Sequence, residues 1–208
     1  MTDGLRWVFE AYPFGCSLLF CEGLTPEEVL VRLGARRESV CPLTRTEAQV
    51  VEVRNAADEP FDLDHLEDLD VAAVEELGFL RRETDAVVRA GAIQGWSFAI
   101  QASTSYVSAR NYLFDLSRGT RVVVACMDVN ATQRVAYTVD GQVLSGFDPG
   151  IPACDDCIDP PALGRPSDSG GMTPLQVLGQ LETRFGLWVP RHSEGERLPA
   201  AAFSQRGT

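Results

Sequence analysis

Short apolar runs separated by clusters of turn residues dominate this chain, and the period within each run predicts its element. Residues 14–21 are almost wholly apolar and predict a buried strand. Residues 87–93 and 96–101 read as two strands joined by Gln94-Gly95, a hairpin signal. Residues 120–127 carry apolar side chains on both faces and predict a central strand. Gln133–Val139 and Gln142–Phe147 flank Asp140-Gly141, a two-residue turn that favours a tight hairpin. Residues 49–54 also read as a strand.

The helical signals are of a different kind. Leu24-Thr25-Pro26-Glu27-Glu28-Val29 combines an N-cap threonine, a proline in the first turn and a glutamate that closes a capping box, with Leu24 stapled onto Val29. That helix should end near Leu33, with Gly34 as its cap. Met172-Thr173-Pro174-Leu175-Gln176-Val177 repeats the same logic and predicts a helix to Phe185, stopped by Gly186. Residues 107–117 place Ala109, Leu113 and Leu116 on one face, with Gly119 to end the turn. Residues 5–11 and 69–77 predict two shorter helices.

These elements predict a single α+β domain. Its antiparallel or mixed sheet should have about five to seven strands. The helices starting at Thr25, Val107 and Thr173 should pack on it. The core is expected over residues 1–149, a Pro/Gly/Asp-rich loop over 150–172, a core-packing helix over 173–189 and a disordered tail over 190–208.

Charge changes the picture. The 208 residues carry a formal net charge of -12. Such a balance argues against nucleic acid and against an anionic membrane surface, both of which call for a basic face. It fits a basic protein partner, a cation or simply solubility, the last being the commonest reason for acidity. Every basic side chain other than His65 and His192 is an arginine, so Schiff-base and phosphate-loop lysines are excluded. No basic, apolar, small-residue succession marks a secretion signal at the start, and residues 14–21 are too short to span a bilayer. A cytoplasmic protein is expected, its six cysteines reduced.

Candidate chemistry is sparse. Cys154-Asp155-Asp156-Cys157 has the spacing of a zinc or dithiol pair. Zinc needs two more ligands, and Cys41 and His192 stand in no second paired motif. A redox role is opposed by Pro160-Pro161 and by the adjacent aspartates, which raise thiol pKa. Asp62-Leu63-Asp64-His65 opens like a calcium loop, but Glu67 stands where that loop needs glycine. Asp168-Ser169-Gly170-Gly171 copies a protease nucleophile motif without the surroundings of a triad.

If residues 107–117 cross over between two parallel strands, Gln101, Ser103, Asp128, Asn130 and Asp148 gather at one sheet end. Such oxygens suit Mg²⁺ or Ca²⁺, although turn preference alone accounts for them. Trp96 begins a strand and either fills the core or anchors a partner.

One resemblance reaches beyond single motifs. Glu22-Gly23-Leu24-Thr25-Pro26-Glu27-Glu28-Val29-Leu30, Arg32-Leu33-Gly34-Ala35 and Gly95-Trp96-Ser97-Phe98-Ala99-Ile100 belong to it. So do Leu116-Ser117-Arg118-Gly119-Thr120, Asp140-Gly141-Gln142-Val143 and Phe147-Asp148-Pro149. This pattern is similar to an actinobacterial domain family of unknown function. The resemblance implies a bacterial, cytoplasmic protein and carries over no catalytic residue.

Together these observations predict a non-enzymatic, acidic protein-binding module, regulatory or immunity-like, that docks a basic partner. The binding candidates are Trp96, Asp128, Asn130 and Asp148, with no catalytic residue nominated. The alternative is a metal-dependent enzyme or sensor that holds Mg²⁺ at the Asp128/Asp148 edge or Zn²⁺ at Cys154 and Cys157.

Overall fold

A computed structural model describes residues 4–63, 66, 68–84, 86–102, 110–128, 133–147 and 173–204. In chain order the elements begin with α1 (Arg6–Ala11), β1 (Gly15–Glu22), α2 (Pro26–Arg32), β2 (Cys41–Leu43), α3 (Arg45–Ala56) and α4 (Val71–Glu76). The hairpin β3 (Ala86–Ile93) and β4 (Trp96–Ala102) follows, then α5 (Arg110–Leu116), β5 (Arg121–Asp128), β6 (Gln133–Val139) and β7 (Gln142–Phe147). The chain closes with α6 (Pro174–Phe185), a 3-10 turn (Arg191–Glu194) and β8 (Leu198–Phe203). It is one α+β domain.

The eight strands among the described residues join one sheet in the order β2-β8-β3-β4-β1-β5-β6-β7, and every neighbouring pair is antiparallel. Strand β1 separates β4 from β5, so those two run parallel to each other, as the crossover between them requires. The β6–β7 turn has Asp140 at φ 46° and Gly141 at φ 76°, the two positive values that let a two-residue hairpin follow the strand twist.

Both faces of the sheet are covered. Leu18, Phe20, Phe98, Ile100 and Val123 project to one face and pack against Val8 of α1 and Val177 and Leu181 of α6. Leu19, Ala99, Val122 and Val124 project to the other and meet Val29, Leu30 and Leu33 of α2 with Leu113 and Leu116 of α5. Helices α3 and α4 cover the β2–β8–β3 margin through Val51, Val74, Val87 and Ala200. Gly91 stands opposite Phe98, whose ring fills the space that any Cβ at residue 91 would take.

The capping logic holds at α2 and α6. Thr25 accepts the Glu28 backbone N–H and Thr173 that of Gln176, and Gly186 takes the left-handed conformation that ends α6. The sheet has eight strands rather than five to seven, and two expectations about single segments fail.

Residues 49–54 lie inside helix α3 rather than in a strand. Thr44 and Glu47 form a third reciprocal capping box, and Ala48, Val51 and Asn55 are buried at helical spacing. The β-branched residues of 49–54 imitate strand alternation locally, and tertiary burial overrides that preference.

The expected tail over 190–208 contains strand β8, which sits between β2 and β3. Its Leu-Pro-Ala-Ala-Ala-Phe sequence has weak strand propensity, but small side chains fit a strand covered on both faces. Pro199 lies beyond the β3 register, which ends at the Arg89–Ala200 pair, so its missing N–H removes no bond on that side.

Leu198 packs in the first core cluster, Ala201 and Phe203 in the second and Ala200 in the third. A chain truncated after Val189 is therefore expected to lose cooperative thermal unfolding, followed by far-ultraviolet circular dichroism. An unchanged melting midpoint would show that β8 contributes nothing to stability.

Candidate functional site

The Thr44–Glu47 capping box fixes where α3 begins, and thereby the setting of the face beside its buried stripe. That face carries Arg45, Gln49, Glu52, Val53 and Ala56, which form one wall of a cleft of about 610 Å³. The opposite wall is the 11–15 turn between α1 and β1, with Ala102 from the end of β4. Phe14 (79% exposed) and Val53 (61% exposed) are apolar side chains left largely in solvent on the two walls.

Two ionisable groups of α3 line this cleft, two helical turns apart. Arg45 donates from Nη1 to the Ala11 carbonyl and pairs through Nη2 with Glu194 at 3.0 Å. Its guanidinium carbon lies 5.5 Å from the centroid of the Tyr12 ring. Its Nε is enclosed and has no hydrogen-bond partner among the described residues.

Glu52 is only partly exposed, and its Oε1 accepts the Val87 N–H at 2.7 Å. Burial pushes its carboxyl up to about 8, and the Val87 bond offsets part of that rise. At neutral pH this side chain is therefore mostly a neutral acid.

Behind the cleft stands Arg89 of β3, only 2% exposed. It donates to three carbonyls, Leu43 at 2.9 Å and Ser193 and Glu196 at 2.8 Å each. It also hydrogen-bonds the Tyr12 phenol, whose pKa burial raises to about 12 against the opposing pull of the Arg89 charge. The cleft wall thus rests on a buried cation solvated by backbone dipoles.

The sequence-derived candidates are dispersed. Trp96 is 8% exposed and lies at the opposite end of β4, about 20 Å along the strand from Ala102. It packs edge-on to Phe185 at 6.4 Å, and the Arg121 guanidinium covers its ring at 5.6 Å. Arg121 also forms a two-pronged ion pair with Glu22, whose carboxyl those hydrogen bonds hold below the usual range.

Asp128 is the last residue of β5 and pairs with Gly15, so it stands at the same sheet end as the cleft. Asn130, Asp148, Cys154 and Cys157 lie outside the described residues, as do Ser103 and His65. Among the described residues, no three His, Cys, Asp or Glu side chains gather into a metal-sized group. None of the described helices is long and apolar enough to cross a membrane.

Tyr12, Arg45, Glu52 and Arg89 escaped the sequence reading. Two signals pointed to them. Arg89 is a lone charge inside an otherwise apolar strand run, which implies a buried, bonded guanidinium. Thr44-Arg45-Thr46-Glu47 is a capping box that identifies α3 and its outward face.

The family of unknown function DUF6461 matches residues 5–165, and the chain belongs to it. The matched stretch covers β1 to β7 and ends before α6 and β8. Comparisons with curated proteins and with solved structures return no match.

Arg89→Met would leave three carbonyls unbonded and is expected to destabilise the fold by about 3 kcal/mol, measured by urea unfolding. Arg89→Lys should recover only part of that loss, because one ammonium cannot reproduce the fork of donors.

Glu52 generates a pH dependence. Between its ordinary value of 4.5 and about 8, the folded protein keeps a proton that the unfolded chain has released. Stability should therefore fall as pH rises through that window and level off above it. Glu52→Gln should flatten the fall, and an equally steep profile in that variant would assign it to other groups.

Proposed function

Within a family that carries no assigned activity, we propose that this chain is a non-catalytic module that docks a basic protein partner. The observation that carries this reading is how its guanidinium groups are spent around the acidic stretch 58–76. Arg82 donates to the Asp58 carbonyl, Arg54 to the Phe61 and Leu80 carbonyls, and Arg197 to the Asp68 carbonyl. These cations hold the described backbone of the stretch in place while six of its carboxylate residues stay exposed. Asp58, Glu59, Asp68, Asp70, Glu75 and Glu76 are all exposed.

The result is an acidic face on a protein of net charge -12. Such a field accelerates encounter with a basic surface and disfavours acidic ones. The face begins two residues beyond Ala56, so it is continuous in sequence with the α3 wall of the cleft. A cytoplasmic setting is part of the proposal, since Cys16, Cys21 and Cys41 are thiols in no disulfide, the state a reducing compartment preserves.

Capture from a native lysate at low ionic strength should recover a basic protein that elutes as salt rises, because exposed charge pairs are screened beyond about 10 Å at 0.1 M salt. Reversing Glu75 and Glu76 to arginine at the end of α4 favours the helix dipole and should spare the fold. The double reversal is expected to weaken capture about tenfold. No partner at low salt, or a partner indifferent to salt and to the reversal, would overturn the reading.

A further inference from the structure

We propose that the cleft between α3 and the 11–15 turn receives a lysine or arginine side chain of the basic partner, with Glu52 as its counter-ion. This deepens the docking reading above and rests on it.

The cleft is built for a side chain with an apolar stem and a cationic end. Phe14, Val53, Ala56 and Ala102 supply apolar wall along which an alkyl stem can lie. Glu52 supplies a carboxyl that no cation among the described residues pairs with. One of its oxygens accepts the Val87 N–H, a task that glutamine would perform equally well. The ionisable proton is what glutamine lacks, so the bond to Val87 does not account for a carboxyl at this position.

The other charges around the cleft are already answered. Arg45 lies seven residues from Glu52 on α3, about 10 Å along the helix axis. It is engaged by Ala11, Glu194 and the Tyr12 ring. Tyr12 faces the cleft from the turn, and Arg89 of β3 stands behind it, bonded to three carbonyls. Ala102, the contribution of β4, carries no charge.

Ion pairing at Glu52 has a proton balance. The carboxyl gives its proton to solvent as the ammonium or guanidinium arrives, and the pair forms between carboxylate and cation. Binding should strengthen as pH rises toward about 8, where Glu52 ionises unaided.

The test uses Nα-acetyl-lysine-N-methylamide as the probe, with the norleucine analogue as a stem lacking the cation and the glutamate analogue as an anion. The Val87 amide resonance of the full chain reports on Glu52 directly. The lysine probe should shift that resonance saturably. The norleucine analogue and the Glu52→Gln variant should each bind about tenfold more weakly.

Val53→Arg places a cation at an exposed rim position and should also abolish binding, which keeps the test decisive if Glu52→Gln folds poorly. Equal binding of norleucine, tighter binding of the glutamate analogue, survival of binding in Val53→Arg, or no binding of any probe would each overturn the proposal. Salt-sensitive capture of a basic protein would survive all four results. Loss of that capture with intact probe binding would instead sink the docking reading alone.

Discussion

Arg89 is the group on which the arrangement of this molecule turns. Its guanidinium is buried with no carboxylate bonded to it among the described residues, a situation that costs several kcal/mol unless backbone dipoles replace the lost water. Three carbonyls do so, and they come from places far apart in sequence. Leu43 ends β2 just before α3 starts, and Ser193 and Glu196 belong to the turn that delivers the chain into β8. One side chain thereby ties the end of β2, next to the start of α3, to the approach to β8. Because Arg45 and Glu52 stand on α3, the geometry of the cleft follows from the same bonds.

The same use of arginine recurs around the fold. Arg32 reaches from α2 to the Leu116 and Arg118 carbonyls at the end of α5, and Arg197 ties the 196–198 approach to Pro42 and Asp68. A planar fork of five donors suits this task better than an ammonium does, because it bridges two carbonyls without strain. Arg197 also pairs with the Glu47 carboxylate, so the same fork serves backbone and side chain together. The acidic balance itself is set by composition, with 30 Asp and Glu against 18 Arg.

Trp96 shows why an aromatic at a strand start is a poor guide to a binding surface. With Phe185 at its edge and Arg121 over its face, it closes one end of the core rather than offering a handle. The cleft lies at the other end of the same strand, where the open features are Phe14, Val53 and a sheltered carboxyl.

Local chemistry determined what is local in this protein. The capping boxes at Thr25 and Thr173, the Asp140-Gly141 turn and the two-faced apolar run of β5 each need only a few neighbouring residues to specify an element, and each forms as its sequence dictates. The parallel relation of β4 and β5 also followed from sequence, because a crossover helix leaves little topological choice. Tertiary structure decided the rest. Residues 49–54 became helix because Val51 and Asn55 are buried at helical spacing against a sheet that lies elsewhere in the chain. An alanine-rich segment became β8 because β2 and β3 offered unpaired edges and both faces were already roofed. The cleft, its isolated carboxyl and its cation arise where α1, α3 and β4 meet across some ninety residues, and no local pattern encodes a distance between such segments.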